Sequence, residues 1–228
     1  MTRPTVGLDP GNVKAIDGFE AHSGYVQTAV DAFDAAFKAI QSVIDARAKV
    51  SRNASWTPDR QLIEVAALAD KRQETATRAM DSAAKTLMQG IKSLDESLSK
   101  PLQATADHTI SAEIRAHAKA LSNEDRRALV ITALEKGDTK TLNAVLGAPS
   151  YLSGLDEVLQ AHFTRQWNEK QTPEIVKRLD VMNRALELVN TRGPLVITQI
   201  EEALGGRGTW AKVQAARERD KEARAALA

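Results

Sequence analysis

The sequence predicts an all-α protein: a long, coiled-coil-like helical hairpin and then a compact multi-helix bundle, flanked by an extended N-terminal arm and a charged C-terminal helix. Three observations carry this. Leu62, Val65, Ala69, Ala76, Met80, Ala83, Leu87, Ile91, Leu94 and Leu98 climb in steps of three and four, broken once at Arg72 and Gln73, which is the period of an amphipathic helix. Val26, Val30, Phe33, Phe37, Ile40 and Ile44 do the same over a shorter span. Aromatic residues are only 4% of the chain against 43% hydrophobic, so the core must be built from Ala, Leu, Val and Ile, which suits close helix packing.

Taken in order, residues 1–24 read as an extended arm, because Asp9-Pro10-Gly11-Asn12 signals a turn and neither side shows a helical period. Residues 25–100 read as the hairpin. Its first helix runs to about Val50, and Thr57-Pro58-Asp59 opens the second with a cap, a proline at the first position and an acid that complements the dipole. The second arm, about 42 residues or roughly 60 Å at 1.5 Å per residue, outruns the first. Its overhang must therefore meet either the C-terminal half or another subunit. Ser99-Lys100-Pro101 should end or kink it, since proline has no N–H to donate.

Residues 101–204 read as the bundle. Ile110, Ile114, Ala118 and Leu121 mark one helix, Ser122 with Asp125 begins a second that Gly137 stops, and Leu142, Val145 and Leu146 form a short piece before Gly147. After Ala148-Pro149-Ser150 come Leu155, Val158, Leu159, Phe163 and Trp167; after Thr172-Pro173-Glu174 come Ile175, Leu179, Met182, Leu186 and Val189. Gly193-Pro194 precedes an apolar piece from Leu195 to Leu204, whose first three residues are the one stretch with any strand character, too short to decide. Residues 205–228 form the charged tail helix behind the hinge Gly205-Gly206-Arg207-Gly208.

Chemistry is sparse in this pattern. Without cysteine there is no disulfide, thiolate metal site or cysteine nucleophile. Glu113 and His117 stand four apart with Asp107 and His108 upstream, but His-Glu-x-x-His is lacking and the spacing reads as a solvated helix face. The glycine-rich hinge has neither the strand nor the Lys-Ser/Thr of a phosphate loop. No catalytic, cofactor or metal residues are assigned, and the chain is expected not to be an enzyme.

Net charge is +1, from 31 basic and 30 acidic residues, so no global field steers the protein to nucleic acid or an anionic membrane. The tail alone is locally basic: Arg207, Lys212, Arg217, Arg219, Lys221 and Arg224 outnumber Glu218, Asp220 and Glu222. With Trp210 as a stacking ring these six could follow a phosphate backbone, while the interleaved acids favour pairing with another helix. Nothing resembles a signal peptide or a membrane span, so a cytoplasmic or particle-borne protein is expected.

The stretch from Lys136 to Leu155, KGDTKTLNAVLGAPSYLSGL, resembles a segment of uncharacterised helical proteins encoded by tailed phages and prophages. The resemblance covers about 20 residues, carries no functional residues and implies a virion or assembly role. The leading expectation is thus a homo-oligomer that also holds other structural proteins of its assembly. Its seam is Phe33, Phe37, Ile40, Ile44, Met80, Leu87, Ile91, Leu94 and Leu98, and nucleic-acid binding through the tail is the alternative.

Overall fold

The protein, a computed structural model describing residues 3–106 and 109–226, is helical throughout: among the described residues there are eleven α-helices and no strand. They are α1 Gly11–Lys14, α2 Phe19–Val50, α3 Pro58–Ala106, α4 Thr109–Ala120, α5 Asn123–Lys136, α6 Thr139–Leu146, α7 Ser150–Ser153, α8 Glu157–Gln171, α9 Pro173–Arg192, α10 Leu195–Leu204 and α11 Thr209–Ala225. The capping signals act locally. Thr57 Oγ1 accepts from Arg60 N at 3.2 Å, Ser122 Oγ accepts from Asp125 N at 3.1 Å, and Gly137 ends α5 at φ 66°, a conformation that favours glycine. Leu195-Val196-Ile197 opens α10 and is no strand.

The chain forms two compact units, Met1–Gln89 with Val181–Ala228, and Gly90–Asp180. Both boundaries fall inside long helices, α3 and α9, and not in linkers such as those expected near residues 100 and 204. Nor does Pro101 end α3, which continues to Ala106. Proline removes only the backbone bond that would reach the Ser97 carbonyl, and the flanking turns are anchored by Leu98 in a cleft and Leu102 in a core.

The N-terminal arm is also corrected. Thr5 caps a 3₁₀ turn at Val6–Leu8, Asp9 Oδ1 accepts from Gly11 N at 2.7 Å, and Asn12 Nδ2 donates to the Val6 and Asp9 carbonyls. Leu8, Val13, Ile16 and Phe19 are buried, so the segment folds onto its own unit, with Thr5 N bonded to Gln199 Oε1 at 3.2 Å. The turn chemistry read as an arm is the scaffold of a tight N-terminal cap.

In unit 1 the inner face of α2 is Val26, Ala29, Val30, Phe33, Ala36, Ile40 and Val43, and that of α3 is Val65, Ala66, Ala69, Ala76, Met80, Ala83 and Leu87. Alanine at so many buried positions lets helix axes approach closely. Met80 lies against the α9–α10 turn, 3.8 Å from where a Cβ on Gly193 would stand. The second ladder is thus covered at Met80 by the chain's own C-terminal part.

Unit 2 has a core of Leu102, Ala118, Val130, Leu134, Leu142, Val145, Leu146, Leu155, Phe163 and Trp167. Its helices are short, so a large share of their carbonyls lack an intrahelical partner. Side chains supply the donors. The Arg126 guanidinium, in a residue only 8% exposed, donates Nε to Ala118 O at 2.8 Å, Nη1 to Gly154 O at 2.6 Å and Asn123 Oδ1 at 2.8 Å, and Nη2 to Leu121 O at 2.8 Å and Lys119 O at 3.2 Å. Lys170 donates to Leu134 O at the end of α5, and Gln160 to Leu146 O and Ala148 O at the end of α6.

Candidate functional site

The nine seam residues do not form one surface. Phe33, Ile40, Met80 and Leu87 are buried in the core of unit 1, and Phe37 and Ile44 are half-buried beside them. The four buried residues cannot reach another subunit while unit 1 is folded, whereas Phe37 and Ile44 keep part of their surface open. Ile91, Leu94 and Leu98 belong to unit 2, are half-buried, and continue the α3 stripe to a cleft that Leu98 lines. The apolar period could not separate the covered part of the stripe from the open part, because both obey it.

The tail folds onto its own unit. α11 buries Thr209, Val213 and Ala216, and four of its six candidate cations are engaged within the chain. Arg217 Nη2 meets Asp70 Oδ2 at 2.9 Å, Arg219 donates to both Asp59 oxygens at 2.8 and 2.9 Å, Arg224 pairs with Asp220, and Lys221 lies 3.6 Å from Glu218. Asp59 and Asp70 are about 16 Å apart along α3, whereas Arg217 and Arg219 are about 3 Å apart along α11, so the two helices cross. The Arg219 hydrogen bond holds the Asp59 carboxyl below its ordinary range, and Asp59 in turn raises Arg219. Arg207 and Lys212 are exposed and enter no ion pair among the described residues.

A cleft of about 700 Å³ lies wholly within unit 2. One wall is the face of α8 carrying Glu157, Gln160, Ala161, Thr164, Arg165 and Asn168, residues three and four apart across three turns. A second is α3, with Asp95, Leu98, Ser99 and Leu102; Val176, Leu179 and Asp180 of α9 and the segment Leu146–Pro149 complete it. Gly147 fixes the junction of α3 and α6, since a Cβ there would stand 2.2 Å from Leu102 O. Only glycine allows that approach.

The cleft's polar groups fall into two sets. Arg165 is committed: Nε donates to Glu169 at 2.9 Å and Nη2 to both Asp180 oxygens at 3.0 and 3.1 Å, and the Glu169 bond, followed by the Asp180 charge, raises its pKa. Gln160 is committed to carbonyls. Asp95 and Glu157 enter no ion pair among the described residues, and partial desolvation lifts the Asp95 carboxyl above its ordinary range. The cleft thus presents apolar side chains beside two carboxylates that no cation pairs among the described residues.

Sequence reasoning overlooked the cleft, Arg126 and Gln160. One usable signal was Leu98 followed by Leu102 across Pro101, a stripe that did not stop where the helix was expected to. Glu113 and His117 are exposed on α4, Asp107 and His108 lie outside the described residues, and no three His, Asp or Glu side chains converge among those described. No described helix is long and apolar enough to cross a membrane. Compared with known proteins, the chain matches no family model, no curated protein and no solved structure.

Proposed function

We propose that this chain is a non-enzymatic helical assembly protein that associates with copies of itself through unit 2, and that it serves as a component of a phage particle, in head or tail. The observation that carries the reading is the α3 stripe, closed over by the chain as far as Leu87 but half-open at Ile91, Leu94 and Leu98, where it runs into an apolar cleft. A helix face of that kind is a surface for another helix. The phage assignment adds the resemblance of residues 136–155.

Light scattering after size exclusion, across a dilution series at low and high salt, tests the association. A defined oligomer that persists in salt and is lost in Leu94→Asp supports it; a strict monomer at every concentration overturns it. Nucleic-acid binding is a second reading, favoured by Arg207 and Lys212 entering no ion pair among the described residues. It predicts salt-sensitive DNA or RNA binding that Arg207→Ala with Lys212→Ala abolishes.

A further inference from the structure

We propose that the unit 2 cleft receives an amphipathic helix of a partner protein, with its apolar side chains on Leu98, Leu102 and Leu179 and a lysine or arginine between Asp95 and Glu157. The inference names the partner's chemistry for the interaction role above and rests on the reading of this chain as an assembly protein, although it does not require self-association.

Shape is the first ground. The α8 wall is straight, because six lining residues share one helix face from Glu157 to Asn168, a length of about 16 Å. That matches three turns of a helix laid alongside. An extended peptide gains affinity from backbone bonds to a sheet edge, and the cleft walls are helices. Small residues along the lining, Ser99, Gly147, Ala148 and Ala161, let a guest helix approach closely.

Charge is the second. Four ionisable side chains line the cleft, and they divide unequally. Asp180 and Arg165 neutralise each other, whereas Asp95 and Glu157 stand on two different walls and enter no ion pair among the described residues. Desolvation already disfavours the charged form of Asp95. A basic group entering beside it would restore the charge, so cation and carboxylate bind with mutual gain. An acidic helix with the same apolar face would be repelled.

The test uses the full chain and a labelled 15-residue helical peptide of leucine and lysine, followed by fluorescence anisotropy, with the solution mass recorded on the same samples. We expect saturable one-to-one binding, weakened by salt, and no binding of the counterpart with glutamate for lysine. Asp95→Lys, an exposed substitution that leaves the core untouched, should weaken the lysine peptide by about tenfold or more, and Leu98→Glu should remove binding. Equal affinity for wild type and Asp95→Lys, equal binding of the acidic peptide, or no binding at all would overturn the proposal. A monomer that binds the lysine peptide would retain it while ending the self-association reading. A defined oligomer that excludes the peptide would do the reverse.

Discussion

Unit 1 is made of long helices that meet at alanines, and unit 2 of short helices that meet at leucines and two aromatic rings. In unit 1, Ala29, Ala36, Ala66, Ala69, Ala76, Ala185 and Ala216 are wholly buried, and close helix approach covers the hydrophobic stripe of α3 within the chain. In unit 2 the eight residues of α6 leave about half of that helix's carbonyls without an intrahelical acceptor bond; Gln160 and Arg115 reach across to supply donors there, as Arg126 does for α4 and Lys170 for α5. The difference teaches what helix length decides. Long helices satisfy their own backbone and need only a flat seam, while short ones must be tied at their ends, and the gaps between tied ends are where a cleft can open.

The strongest way to break this comparison is to strike the seam. Phe33 is fully buried, and Phe33→Ala should cost unit 1 about 3–5 kcal/mol, read by urea denaturation; a loss under about 1 kcal/mol would mean that the seam repacks freely. Next is the tie. Arg126→Met keeps the bulk but removes every donor, taking the guanidinium from the Leu121 and Gly154 carbonyls, and should cost unit 2 about 2–4 kcal/mol. Native-state hydrogen exchange should then show amides of α4 and α5 opening before those of α2. Unchanged protection in α4 would dismiss the guanidinium as a tie.

Gly147→Ala sharpens the contrast from the cleft side. Its methyl group would meet Leu102 O, so α3 and α6 must part, at about 1–3 kcal/mol, and the lysine peptide should bind more weakly. The smallest effect belongs to the crossing of α11 over α3. Asp59, with an ordinary value of 3.8, is depressed by Arg219 in the folded protein, so its contribution is present above that value and is lost as pH falls through the lower folded value. In Arg219→Ala, carboxyl titration by NMR should return Asp59 toward 3.8, with little change in overall stability because the pair is exposed.

What could be read from the sequence was local. Helix periods, the caps at Thr57 and Ser122, and the stop at Gly137 depend on residues within one turn of each other, and they stand in the structure as expected. What covers a stripe is not local. Leu87 and Leu94 obey the same period, yet one is sealed and the other half-open, because the covering elements come from far along the chain. Arg217 and Asp70 lie 147 positions apart, so no spacing rule could have withdrawn that cation from the nucleic-acid candidates. The arm was misread for a different reason: Leu8, Val13, Ile16 and Phe19 follow a turn-broken path with no single period. Three helices and a glycine junction make the cleft, and none of them shows it alone.

Arg126 has one more consequence. By grasping the Gly154 carbonyl it closes a loop of 28 residues and ties the start of α5 to the end of α7, the span over which a small domain would otherwise place a disulfide bridge. The chain contains no cysteine, and this staple carries no sulfur. Its strength depends on a permanently charged guanidinium and not on the thiol balance around it, so unit 2 should hold together equally well in reducing and in oxidising surroundings.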